Sequence, residues 1–156
     1  GERCCKLDDD DRIRPGFLSK TVEFLQAHPD AGSVYTGFVM ENTETGTEET
    51  VIDTHFFANR EVVPGPEYAR AVLTNRGGYP RNQKTSGVYR RALAENFGHF
   101  SQVREDFAFG VALSVEADVG YIPEPLYVYR LHSGNSISNL SRTCTYSFIA
   151  LDALML

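Results

Sequence analysis

Four consecutive carboxylates, Asp8 to Asp11, are the residues of this sequence best suited to chemistry. Like charges repel one another, so folding gains little from such a run unless a cation or hydrogen-bond donors neutralise it. Leu7 precedes the run and Pro15 opens an apolar helical pattern after it, so the run does not lie in a polar tail. Carboxylates between a strand and a helix suit a hard divalent cation such as Mg²⁺ or Mn²⁺, which prefers oxygen ligands.

Two other interpretations of the acidic run stay open from the residues alone. A run of like charge is most often a solvated turn. Four aspartates before a basic residue also resemble an engineered protease site, although Leu7 and the helix that follows argue against it. A calcium loop of the EF-hand type is excluded, because its acidic residues alternate and its sixth position is a glycine, where this sequence has Ile13.

Two further sets of polar residues adjoin apolar sequence. Glu105 and Asp106 precede a helical pattern, and the positive end of a helix keeps a carboxylate ionised, as a general base requires. Helix capping explains the same two residues without any chemistry. Arg130 and His132 would share one face of an alternating strand, where they could hold a diphosphate or a metal. A surface arginine and a structural histidine are the alternative.

Length and composition limit the class of protein. The chain has 156 residues, of which 42% are hydrophobic and 23% charged, as expected for one globular domain with a core. A net charge of -6 argues against a protein that grips nucleic acid by its phosphates, although a nucleotide can bind with a metal. The three cysteines offer no pairing framework, which fits a reducing, cytoplasmic compartment.

The apolar periodicity predicts alternating strands and helices, and hence the α/β class. The predicted strands are 2–7, 34–40, 51–57, 84–90, 119–122 and 126–130, and the predicted helices run from Pro15 to a turn at 28–32 and over 64–73, 91–97 and 105–117. A polar hairpin or loop is predicted at 41–50 and a flexible connection at 75–80. The apolar residues 147–156 are too few to span a bilayer and indicate a buried helix.

Together these positions resemble the family 2 glycosyltransferases of the GT-A fold. The similarity is carried, in the family's order and spacing, by Gly1-Glu2 before LDDDD with Pro15 beyond, HPDAGSVYTGF, SGVYRRALAENFGHF, REDFAFGVALSVEADVGYIPEPLYVYRLH and SGNSIS. The resemblance implies that residues 1–156 are the carboxy-terminal part of a single GT-A domain, with a mixed sheet flanked by helices. The family's amino-terminal nucleotide-binding half would be missing.

The resemblance also implies roles for the acidic run. Asp8 would face the nucleoside portion of a nucleotide-diphospho-sugar, and Asp10 would ligate a divalent metal on its diphosphate. Asp11 would be a supporting acid of the metal site. Asp9 stands where the family usually has a small residue, so the choice of ligand among the four aspartates stays open.

The other matched positions complete the implied site. Asp106 falls on the family's catalytic base, and Glu105 would orient or contact the acceptor. His132 falls near a position that in some relatives assists the metal or the diphosphate, and Arg130 could act beside it if the two share a strand face.

The implied activity is inverting sugar transfer with Mn²⁺ or Mg²⁺, from a donor that is most commonly a UDP-sugar, to a carbohydrate or lipid-linked acceptor, as in polysaccharide biosynthesis. We expect the chain alone to bind the donor poorly and to turn over little or nothing. A longer parent protein could associate with the inner face of the membrane. The rival functions are a non-catalytic nucleotide-sugar or carbohydrate-binding domain, a two-carboxylate glycoside hydrolase, and a structural α/β domain with an acidic turn.

Overall fold

The structure is a computed structural model that describes residues 1–53, 56–74, 87–96 and 105–134, with only the backbone for 105–108. In chain order its elements are β1 (Arg3–Cys5), β2 (Arg12–Ile13), α1 (Phe17–Ala27), β3 (Ala31–Asn42), β4 (Thr47–Val51), β5 (Val62–Val63), α2 (Gly65–Thr74), β6 (Gly87–Arg90), α3 (Arg91–Asn96), α4 (Glu105–Glu116) and β7 (Asp118–Leu131). The predicted α/β class is confirmed. The predicted connection at 75–80 and helix at 147–156 lie outside the described residues.

One mixed sheet organises the described part of the chain. Its strand order is β1-β6-β3-β7-β2, with β4 also paired to β3 and β5 also paired to β7. The central strands β3 and β7 run parallel, whereas the other described pairs are antiparallel. The first nine residues of β3 are buried, as expected for a central strand that is covered on both faces.

Helices and loops cover both faces of this sheet. Val34 belongs to an apolar cluster with Phe17 of α1, while its neighbour Tyr35 belongs to another with Tyr68 of α2. Because adjacent strand residues point to opposite faces, the two clusters lie on opposite sides of the sheet. Within the described residues, no helix is both long enough and apolar enough to cross a membrane.

Strand β7 corrects the prediction of two strands at 119–122 and 126–130. It continues through Pro123 and Pro125, because an irregularity in its pairing with β3 absorbs both prolines. From the pair Thr36–Ile122 to the pair Phe38–Tyr127, β3 advances two residues while β7 advances five. Proline has no N–H to donate to the ladder, so it is tolerated where the ladder is interrupted.

The strand predicted at 51–57 is wrong for its second half. Strand β4 ends at Val51, and Phe56 and Phe57 lie in a turn that packs into the core. The ring of Phe57 stacks on Tyr121 with centroids 4.6 Å apart. The hairpin predicted at 41–50 is confirmed, and the side chain of Asn42 accepts two backbone N–H groups in its turn.

The helices predicted within the described residues are present, but two of them differ from expectation in which residues they bury. In α1 the buried residues are Phe17, Thr21 and Leu25, whereas Leu18, which was expected in the apolar stripe, is 51% exposed. In α4, which was expected to be buried all round, Val115 is 57% exposed. The spacing of apolar residues along a helix does not show how much of the helix surface other parts of the protein will cover.

Candidate functional site

The acidic run lies in a turn between β1 and β2, beside the end of β7. The backbone N–H of Asp11 donates to the carbonyl of Asp8 at 3.1 Å, which closes the turn. The next two residues form β2, in which Arg12 pairs with Val128 and Ile13 with Tyr127. A short edge strand therefore holds the acidic turn against the carboxyl end of β7.

Three predicted site residues meet at this junction. The Nε2 atom of His132 lies 2.8 Å from Oδ2 of Asp10, and both side chains are half-buried. The Nη1 atom of Arg130 donates to the backbone carbonyl of Asp10 at 3.2 Å. The fold thus joins the acidic turn to a segment about 120 residues later in the chain.

Asp11 is the buried member of the run, with 7% exposure. Its Oδ2 accepts from the hydroxyl of Tyr127 at 2.6 Å, and its Oδ1 accepts from the backbone N–H of Arg130 at 2.9 Å. Burial raises the pKa of the Asp11 carboxyl above its ordinary value, and these two hydrogen bonds act in the opposite direction. Asp11 therefore sits in a different environment from the three carboxylates that precede it.

Those three carboxylates are more accessible. Asp8 is half-buried and lies 3.4 Å from the ammonium group of Lys6. Asp9 is exposed and Asp10 half-buried. Burial, with a contribution from the charges of Asp11, Asp10 and Asp8, raises the pKa of the Tyr129 hydroxyl, so this tyrosine also lies close to the acidic turn.

Two residues of this site, Tyr127 and Glu41, were missed from the sequence. Glu41, at the end of β3, forms an ion pair with Arg12 of β2 and lies 3.4 Å from Nε of Arg130 on β7. The hydrogen bond from Arg12 and the nearby guanidinium charges lower the pKa of Glu41. Glu41 was predicted only as part of a polar hairpin, and its pairing partner Arg130 becomes visible once the β3–β7 register is known.

Helix α4 begins at Glu105, so Glu105 and Asp106 lie in its first turn as predicted, while their side chains lie outside the described residues. Further along α4, the ring of Phe109 meets Tyr89 of β6 edge-on with centroids 5.0 Å apart. Tyr89 is the pairing partner of Cys4 in β1, the strand that leads into the acidic turn. The amino-terminal half of α4 therefore packs on the strand that neighbours β1.

The donors at this junction are few for a divalent metal. Among the described residues, no group of three or more histidines, cysteines and carboxylates converges as a metal centre. Asp10 and His132 supply two adjacent donors. A Mg²⁺-type cation that arrives with a nucleotide diphosphate takes only one or two protein ligands, because phosphate and water oxygens fill the other positions. The carboxylate of Asp10 matches this pattern, and the imidazole of His132 is the less usual donor to such a cation. The pair does not form a closed structural metal site.

Fold and site together define a mixed α/β domain whose central strand brings an arginine and a histidine to an acidic turn. No protein-family model and no curated protein matches the chain.

Proposed function

We propose that this chain is the metal- and acceptor-binding part of a GT-A glycosyltransferase similar to family 2, which transfers a sugar from a nucleotide-diphospho-sugar to an acceptor hydroxyl. The contact between Asp10 and His132 carries this proposal. The fold brings a histidine and an arginine that follow about 120 residues later in the chain to the acidic turn. His132 falls near a position at which some members of the resembling family assist the metal or the diphosphate.

In this proposal Asp10 and His132 hold Mn²⁺ or Mg²⁺, with Asp11 supporting them. When bound, the cation supplies positive charge that stabilises the departing diphosphate. Arg130 adds a fixed guanidinium beside Asp10, a group that binds phosphate oxygens well because it is planar and always charged. Asp8 faces the nucleoside portion of the donor, and uridine is the expected nucleoside.

The acceptor half of the reaction belongs to α4. Asp106 lies in its first turn, where the positive end of the helix favours the ionised carboxylate. It takes the proton of the acceptor hydroxyl as that oxygen attacks the anomeric carbon, and Glu105 orients the acceptor. One base with direct attack gives inversion of configuration.

The decisive test is binding of UDP to the complete glycosyltransferase domain of which this chain is proposed to be a part, measured by calorimetry with and without Mn²⁺. The other binding and turnover experiments use the same complete domain. We expect binding that depends on Mn²⁺ and weakens at least about tenfold in Asp10→Asn. Asp9→Asn is the matched control, because it removes the same charge from the same turn at an exposed position. UDP binding that is indifferent to Mn²⁺ in all three proteins would contradict the proposal.

Turnover separates the proposal from its rivals. In the complete domain, transfer from, or hydrolysis of, a UDP-sugar should be lost in Asp106→Asn while UDP binding persists. If the complete wild-type domain binds UDP but neither transfers nor hydrolyses the sugar of a UDP-sugar with any acceptor, the domain is a binding module. Activity on an unactivated glycoside in the presence of a chelator would instead indicate a two-carboxylate hydrolase.

A further inference from the structure

The four aspartates of the acidic run do not share one environment. Asp8 and Asp10 are half-buried and Asp9 is exposed, whereas Asp11 is buried and has a hydrogen-bond donor on each carboxylate oxygen. A buried carboxylate is tolerated when such donors compensate for its lost hydration. Moving Asp11 toward a cation would leave two buried donors without partners, so Asp11 is poorly placed to serve as a ligand.

Both donors to Asp11 come from one short segment of β7. These donors are the hydroxyl of Tyr127 and the backbone N–H of Arg130, which lie in the last five residues of β7. His132 follows two residues after Arg130. Asp11 therefore fixes the backbone from which the Arg130 and His132 side chains reach Asp10. Asp10 directly precedes Asp11 in the chain. The Asp11 carboxylate therefore holds both the acidic turn that carries Asp10 and the segment of β7 that leads to His132.

Tyr127 is held in place on several sides. It is 1% exposed, and its ring packs near Phe17 of α1 with centroids 6.3 Å apart. Its backbone pairs with Ile13 on one side and with Phe38 on the other. A side chain held in this way presents its hydroxyl in one position, as a positioning residue requires.

We infer that Asp11 and Tyr127 are a positioning pair, which holds Asp10 against Arg130 and His132, and that Asp11 is not a metal ligand. The sequence leaves open which of the four aspartates ligates the metal. This inference removes Asp11 and favours Asp10, the residue that contacts Arg130 and His132, with Asp8 in the same turn. The metal-binding part of this inference rests on the proposed function, whereas the positioning part concerns the protein without any ligand.

The first experiment needs no metal. The ¹⁵N chemical shifts of the His132 imidazole, identified by their absence in His132→Gln, report the partner of its Nε2 atom at a fixed pH. We expect Tyr127→Phe to move these signals in the same direction as Asp10→Asn. Tyr121→Phe is the matched control, because it removes a buried hydroxyl that accepts the Asp53 N–H in the other apolar cluster. Unchanged His132 signals in Tyr127→Phe would overturn the inference.

The second experiment measures Mn²⁺ affinity by paramagnetic resonance in the presence of UDP. We expect roughly a tenfold loss in Tyr127→Phe and wild-type affinity in Tyr121→Phe, as for partners that orient metal ligands. Asp11→Asn keeps an acceptor oxygen, so it should lose less affinity than Asp10→Asn. If Asp11→Asn abolishes Mn²⁺ binding as fully as Asp10→Asn and leaves the His132 signals unchanged, Asp11 is a ligand and the inference fails.

The two experiments separate this inference from the proposed function. If wild-type protein binds no Mn²⁺ while Tyr127→Phe still shifts the His132 signals, the glycosyltransferase proposal fails and the positioning pair stands. If Mn²⁺ binds and Tyr127→Phe behaves as wild type in both measurements, the function stands and the positioning pair is refuted.

Discussion

The hydroxyl of Tyr127 lies 2.6 Å from Oδ2 of Asp11, which joins a core residue of β7 to the last carboxylate of the acidic turn. This hydrogen bond connects the same two parts of the chain as the pairing of β2 with β7, and it adds to that pairing. The acidic turn is thereby attached to the central strand on which Arg130 and His132 stand.

The role of Arg130 can be tested by removing its charge. Arg130→Met should weaken UDP binding in the presence of Mn²⁺ by roughly tenfold, because a charge-assisted hydrogen bond contributes about 1.5–3 kcal/mol. Arg12→Met is the control, since Arg12 shares the Glu41 ion pair and has no described bond to Asp10. Calorimetry should give a clearly smaller loss for Arg12→Met. Equal losses would mean that Arg130 acts only through the general charge of the site.

Arg90 should contribute strongly to stability. Its guanidinium donates to the backbone carbonyls of Leu25, His28 and Ala31, at 2.6, 3.2 and 2.8 Å, and so satisfies the end of α1. Arg90→Met should lower the free energy of unfolding by about 2–3 kcal/mol in urea titrations. Arg91→Met removes only an exposed pair with Glu95 and should change it by less than about 1 kcal/mol.

Gly65 should tolerate no side chain. A Cβ atom there would lie 1.9 Å from the carbonyl oxygen of Ser114 and 2.2 Å from that of Ala117, where α2 begins against the end of α4. Gly65→Ala should therefore destabilise the protein by about 1–3 kcal/mol. Gly110→Ala is the opposite case, because its Cβ would meet only the Tyr35 hydroxyl at 3.5 Å within a helix. It should be neutral or stabilising by up to about 1 kcal/mol. Thermal or urea unfolding that ranks the two variants the other way would contradict this packing.

The turn at Phe56 and Phe57 should behave as core. Phe57→Ala removes a buried ring that stacks on Tyr121 and should lower the free energy of unfolding by about 3–5 kcal/mol. Leu18→Ala, on the exposed side of α1, should change it by less than about 1 kcal/mol. A large effect at Leu18 would restore the apolar stripe expected from the sequence.

The pair of Glu67 and Arg60 predicts a small pH-dependent contribution. Hydrogen bonds from Arg60 lower the pKa of Glu67, so its stabilising effect is present above the unfolded value of about 4.3 and is lost as the pH falls through the folded pKa. Both groups are about half exposed, so the effect should stay below about 1 kcal/mol. At pH 7 the wild-type protein should therefore have a higher free energy of unfolding than Glu67→Gln. Near pH 3 the two proteins should have the same free energy of unfolding.

The fold class and most elements followed from periodicity and from Pro and Gly positions. The helix before Pro29 and the buried run of β3 are examples in which local sequence and tertiary environment agree. Strand β7 differed because prolines predict an interruption, and the sequence does not reveal whether a strand resumes in the same sheet.

The candidate site was predicted in part. Asp10, Arg130 and His132 meet, although their residue types alone favoured a surface arginine, a structural histidine and a solvated turn; only the family resemblance connected Asp10 with His132. Tyr127 looked like any aromatic residue of a buried strand, because its hydroxyl acquires a role only from the register that places it opposite β2. Register is a property of two strands, and a single sequence pattern describes one strand at a time.

The irregular segment around Pro123 and Pro125 sets the parity of the strand that follows it. Because β7 gains three residues on β3 there, an odd number, Tyr121 and Tyr127 project from opposite sides although they are six positions apart. A deletion in this segment that preserves the pair Phe38–Tyr127 should keep the tyrosine hydroxyl on Asp11, because opposite residues of paired strands project to the same side. A deletion that instead shifts this pairing by one residue would turn Tyr127 to the other face of the sheet and separate it from Asp11.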